Sequence, residues 1–158
     1  TQMRRVTLEA VMAVRDLTHL NVVFSSGISD RGEVLSTQDQ RINQPDGHTL
    51  EIHWVDHSNT WLTPDEIGTA TVWHALSTLG ASIGSGRIQL SSRIFDIFDN
   101  GQFDEPSRQL SVLHELAHVF GVGHSTDPNS FMYPSLGTVA WITPADQAAL
   151  AIAGSRPC

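Results

Sequence analysis

A chain of 158 residues can bury one core without disulfides or oligomerisation, so a single domain over residues 1–158, monomeric, is expected. Hydrophobic residues at 40% and charged residues at 16% fit a globular protein, and no apolar run reaches the roughly eighteen residues of a membrane span. A formal charge of -8 argues against nucleic acid as partner, which calls for a basic face, and the single cysteine, Cys158, excludes an internal disulfide or a cysteine-based metal site.

Apolar residues at Met3, Val6, Ala10, Val11, Val14 and Leu17 recur at helical spacing and predict a helix over residues 3–18. Residues 21–26 (NVVFSS), rich in β-branched and aromatic side chains and closed by Gly27, read as a strand. The polar stretch 30–47 is loop-like around a weak strand at 33–36. Residues 50–56 (LEIHWVD), 69–75 (TATVWHA) and 87–92 (RIQLSS) read as three further strands, with Gly80, Gly84 and Gly86 punctuating the link between the last two. A loop over 99–106 leads to a helix capped by Asp104 or Ser107 and ended by Gly121. Thr143 as capping hydroxyl, Pro144 at the first helical position and Asp146 in the first turn open a last helix to about Ala153, stopped by Gly154.

The chemistry concentrates in HELAHVFGVGH, residues 114–124. His114 and His118, four apart on a helix, lie on one face a turn apart, so both imidazoles reach one ion. A third ligand needs the chain to leave the helix and double back. Gly121 and Gly123 permit that turn, and His124 lies where a returning imidazole meets the same ion. Three neutral histidines with an open fourth position suit one catalytic zinc, and Glu115 is set to face a water there. HExxH alone arises by chance; Gly121, His124 and the later Met132 at the right spacing make the pattern specific.

HExxHxxGxxH followed by a methionine turn resembles the metzincin clan of zinc endopeptidases. Ser125 directly after the third histidine, then Asp127-Pro128 and Met132-Tyr133-Pro134, look like its matrixin branch, in a minimal form similar to bacterial members. Pro134 stands where astacins and serralysins carry a ligating tyrosine. LEIHWVD is similar to the third strand of that fold, GTATVWHA to its substrate-binding edge strand, IGSGRIQLSS to the fifth strand, and ITPADQAALAIAG to its closing helix.

The resemblance implies an α+β fold: a twisted, mostly parallel sheet with one antiparallel edge strand, packed on two helices. A smaller lower part, residues 125–158, carries the methionine turn and last helix below an upper part, residues 1–124. It also implies a secreted or extracellular endopeptidase that hydrolyses extended protein segments by a metal-activated water, with Glu115 as general base and then acid. Val72, Trp73, His74 and Ala75 would bind substrate as a strand, Tyr133, Pro134 and Ser135 would wall the adjoining pocket, and Met132 would lie beneath the zinc. Matrixins commonly add a structural zinc and calcium. His57 and His74 match parts of such a site, but Asn59 and Gln89 replace an Asp and a His and the acid-rich calcium segments are missing, so neither metal is expected. Two other classes fit the same motif: a binding domain that retained a zinc scaffold, and a zinc hydrolase acting on esters or phosphodiesters.

Overall fold

The computed structural model describes residues 2–20, 22, 49–56, 62–63, 66–77, 80–97, 105–135 and 141–155. The expected strands at 21–26 and 33–36 and the loop at 30–47 lie outside them, apart from Val22, as do His57, Asn59 and Asp104. Helix α1 covers Gln2–Thr18 and buries Val6, Ala10, Val11 and Val14, the face that the apolar spacing marks. Thr7 and Thr18 bury their hydroxyls on the same helix by donating to the carbonyls of Met3 and Val14, at 2.9 and 2.7 Å. The helix closes on His19, whose N–H donates to the Arg15 carbonyl at 2.9 Å and whose φ of 59° turns the following chain out of the helix.

Three strands follow, β1 (Leu50–Val55), β2 (Gly68–Ser77) and β3 (Gly80–Ser91), in the spatial order β1-β3-β2. β1 runs parallel to β3 with Leu50 opposite Gly86, and β2 runs antiparallel to β3 with Gly68 opposite Leu90. Among the described residues β2 is thus an antiparallel edge on a mixed sheet, in an α+β fold. Alternation sends Ile52, Trp54, Ala70, Val72, Ile88 and Leu90 to the core and Glu51, His53, Arg87 and Gln89 to the other face. There Arg87, 5% exposed, donates to Glu51 Oε2 from Nε at 2.8 Å.

The glycines expected to punctuate a link are instead inside β3, which starts at Gly80. The ladder with β2 carries this segment, absorbing Gly84 as an extra residue opposite the step from Trp73 to His74. Gly86 is there because the helix behind the sheet comes close: a Cβ would lie 2.8 Å from Val119 Cγ1.

A short helix that the sequence pattern does not announce, α2 (Arg93–Ile97), sets Phe95 against Trp54, with ring centroids 5.1 Å apart. Helix α3 (Glu105–Val119) begins with Glu105 and Pro106, so Ser107 lies inside it and not at its cap; its carbonyl accepts from Ser111 Oγ at 2.9 Å. α3 is the central element, packed on α1 and under the sheet, and its residues 111–117 are all buried. Arg5 pairs with Glu105, and Gln109 donates to Glu9, across its boundary with α1. Helix α4 (Pro144–Gly154) has the expected start: Thr143 Oγ1 accepts from the Asp146 N–H at 3.2 Å and the Asp146 carboxylate accepts from the Thr143 N–H at 2.9 Å. Gly154 is its last residue and not a stop beyond it, because α4 ends against the last residue of α1, Thr18.

Candidate active site

Helix α3 ends in a turn that also builds the site. The N–H of Gly121 donates to the His118 carbonyl at 2.9 Å and that of Val122 to the Ala117 carbonyl at 3.0 Å, with Gly121 at a φ of 82°. This paired bonding reverses the chain at a position that favours glycine. It places the Val122 carbonyl where it accepts from His118 Nδ1 at 2.8 Å, and it returns His124 to the two helical histidines. His114 Nδ1 donates in turn to the Phe131 carbonyl at 2.7 Å.

Those two hydrogen bonds fix the tautomers. A carbonyl only accepts, so each Nδ1 carries the proton and each Nε2 presents a bare lone pair. Nε2 of His118 lies 3.1 Å from Nε2 of His114 and 3.1 Å from Nε2 of His124. Lone pairs held this close repel unless a cation lies between them. Zinc–nitrogen bonds of about 2.0–2.1 Å at tetrahedral angles separate ligand atoms by roughly 3.3 Å, close to what is seen. The donor set, three converging imidazole nitrogens of which those of His114 and His118 are oriented by outer hydrogen bonds, therefore fits a zinc ion. Among the described residues this is the one group of three or more potential ligands that could share a metal.

The electrostatics agree. Burial, with the charges of His118 and His124 against the opposing pull of the Phe131 carbonyl, pushes His114 down to about 4. Burial likewise lowers His118. Both stay neutral where a free imidazole would be charged, as metal binding requires. Glu115, 8% exposed, is pushed up to about 8 by burial first and by the nearby charge of Glu66 second. An uncompensated carboxylate in such a place is costly, and an adjacent cation is what offsets it.

The edge strand meets this acid at its first residue. A Cβ on Gly68 would lie 2.8 Å from Glu115 Cγ and 3.0 Å from both Cδ and Oε1. Nothing in the sequence singles out Gly68 or Glu66; the tertiary contact alone reveals them. Val72, Trp73, His74 and Ala75 lie four to seven residues further along β2. Val72 packs on the core, Trp73 carries the Arg87 guanidinium 5.7 Å from its ring centroid, and His74 is exposed. Met132 is 1% exposed, and its carbonyl accepts from the N–H of Ser125, the residue after His124, at 2.8 Å. Tyr133 is half-buried, and Pro134 and Ser135 are exposed.

A family model described as matrixin matches residues 31–149, well over half of the chain. The chain is a matrixin. Membership implies a zinc-dependent metalloendopeptidase, whose substrates are proteins or peptides, and the three histidines of this matrixin provide a cluster able to hold the ion. No curated protein and no solved structure matches the chain. No helix among the described residues of the matrixin is long and apolar enough to cross a membrane.

Proposed function

We propose that His114, His118 and His124 bind one catalytic zinc through their Nε2 atoms and that Glu115 is the general base and acid of peptide-bond hydrolysis. The observation that carries this reading is the pair of Nδ1–carbonyl hydrogen bonds, which turns two lone pairs toward a shared point beside a buried carboxyl group. Zinc held there supplies a Lewis acid that acidifies water and polarises a carbonyl. Glu115, adjacent to His114 in the chain, takes the proton from the attacking water and delivers it to the departing amine nitrogen. Its burial keeps bulk water from competing for that proton.

An extended substrate pairs along the outer side of β2, which no other strand among the described residues covers and which offers backbone donors and acceptors. The contact between Gly68 and Glu115 supports a register in which the scissile bond passes the start of β2, while Val72, Trp73, His74 and Ala75 hold residues further from it. Tyr133, Pro134 and Ser135 border the pocket next to the scissile bond, and Met132 is the apolar floor beneath the zinc. The enzyme acts outside the cell, as matrixins commonly do.

Glu115→Ala tests the assignment. The variant is expected to retain about one zinc per chain and to hydrolyse casein or a quenched peptide about 10²–10⁴-fold more slowly. Activity equal to that of the parent, with zinc bound, overturns it. Parallel assays on ester and phosphodiester substrates distinguish a peptidase from another zinc hydrolase.

A further inference from the structure

Asp146 lies in the first turn of α4, is 4% exposed, and is used twice. One oxygen, Oδ2, completes the cap of α4 by accepting from the N–H and hydroxyl of Thr143, at 2.9 and 2.8 Å. The other, Oδ1, accepts a 2.6 Å hydrogen bond from the hydroxyl of Ser130, itself 1% exposed. That second contact is not needed to cap a helix. Ser130 Oγ, having given its proton to Asp146, accepts from the N–H of Met132 at 2.9 Å. The Met132 N–H and the Phe131 carbonyl belong to one peptide group, and that carbonyl is the acceptor for His114 Nδ1 at 2.7 Å.

We propose that Asp146 and Ser130 are positioning residues for the metal ligand His114, acting through the peptide group between Phe131 and Met132. The links run in one direction. A carboxylate makes the Ser130 hydroxyl a stronger acceptor, which polarises the peptide N–H and strengthens its carbonyl as an acceptor. The His114 Nδ1–H then donates to a better partner, which holds the ring in place and makes Nε2 a stronger donor to a metal. Geometry reinforces the effect. A peptide is planar, so fixing its N–H on Ser130 fixes the direction of its carbonyl. Phe131 is also tied by its own N–H to the Trp141 carbonyl at 3.0 Å, so the segment cannot pivot. Helix α4, which offers no ligand, thereby orients one.

This rests on the reading that the triad binds zinc, and the test separates the two. Ser130→Ala cuts the link while leaving the pairing of Thr143 with Asp146 in place, and Ser130→Thr restores a hydroxyl. Zinc affinity is measured on folded protein by competition with a chromophoric chelator, and the His114 Nδ1–H proton resonance is followed in the metal-free protein. Ser130→Ala is expected to raise the zinc Kd about tenfold or more and to move the resonance upfield. Ser130→Thr returns both toward the parent. Leu150→Val, which loosens the buried side of the same helix away from the relay, changes neither. Unchanged zinc affinity in Ser130→Ala overturns the proposal, and so does an equal loss in Leu150→Val, which would reduce the effect to general stability. If Ser130→Ala does not fold, Asp146→Asn carries the same two readouts with the same meaning. A parent that takes up no zinc sinks the proposed function instead, and the resonance in the metal-free protein still judges the relay.

Discussion

Glu115 has its carboxyl group pressed against the one residue of β2 that offers no side chain. Replacing Gly68 tests how tightly the acid is placed. A Cβ there meets Cγ, Cδ and Oε1 at 3.0 Å or less, so either the carboxyl group swings away or the strand retreats. Both outcomes displace the proposed base relative to the triad, and a displacement near 1 Å costs on the order of 10²-fold in rate. Gly68→Val is expected to lower kcat about ten- to a hundredfold at an unchanged zinc content of one per chain. Parent-like kcat with zinc bound would show that Glu115 tolerates the crowding. The two kinds of residue at the site were not equally readable beforehand. His114, Glu115, His118 and His124 announce themselves because side-chain identity and helical spacing are both written in the chain. Gly68 does not, since its value lies in what is absent. The carbonyls of Phe131 and Val122 do not either, since every residue has one and only the folded turn aims them.

At the level of elements, legibility followed length and capping chemistry. α1 and α4 were readable from a sustained apolar period and from the Thr143, Pro144 and Asp146 signal. The five-residue α2 is too short to show a period, and the glycines of β3 read as breaks because glycine usually disfavours strands. Their reason is tertiary, the approach of α3 behind Gly86. Gly154 poses the same question at the end of α4. In an ordinary helix interior, alanine is better than glycine by about 1 kcal/mol. Here a Cβ would stand 1.9 Å from the carbonyl oxygen of Thr18, a backbone atom fixed in α1. Steric cost outweighs propensity, so Gly154→Ala is expected to destabilise the fold by roughly 1–3 kcal/mol, within the usual range for overpacking. Urea unfolding checks the sign: a raised midpoint would mean that the last turn of α4 moves freely away from α1.

For the whole molecule, the site sets a pH dependence that the metal conceals. In the metal-free protein Glu115 holds its proton up to about 8, while the unfolded chain loses it near 4.5. Where the folded state binds the extra proton, stability falls as pH rises, so this group weakens the fold between about 4.5 and 8. His114 acts in the opposite direction. The unfolded chain takes its proton near 6.5 and the folded one only near 4, so stability falls as pH drops through that interval. Between 4.5 and 6.5 the two oppose each other. Above 6.5 His114 is neutral in both states and Glu115 acts alone, with a loss on the order of 1–2 kcal/mol by pH 8. The urea midpoint of chelator-treated protein should therefore fall from pH 6.5 to 8. In Glu115→Gln, which keeps the shape and cannot ionise, it should stay flat over that interval. Equal slopes in the two proteins would place the dependence elsewhere. With zinc bound the fall should disappear, because the positive charge favours the Glu115 carboxylate and the folded state no longer holds the extra proton. The gap between the zinc-loaded and metal-free midpoints should then widen steadily as pH rises through neutrality.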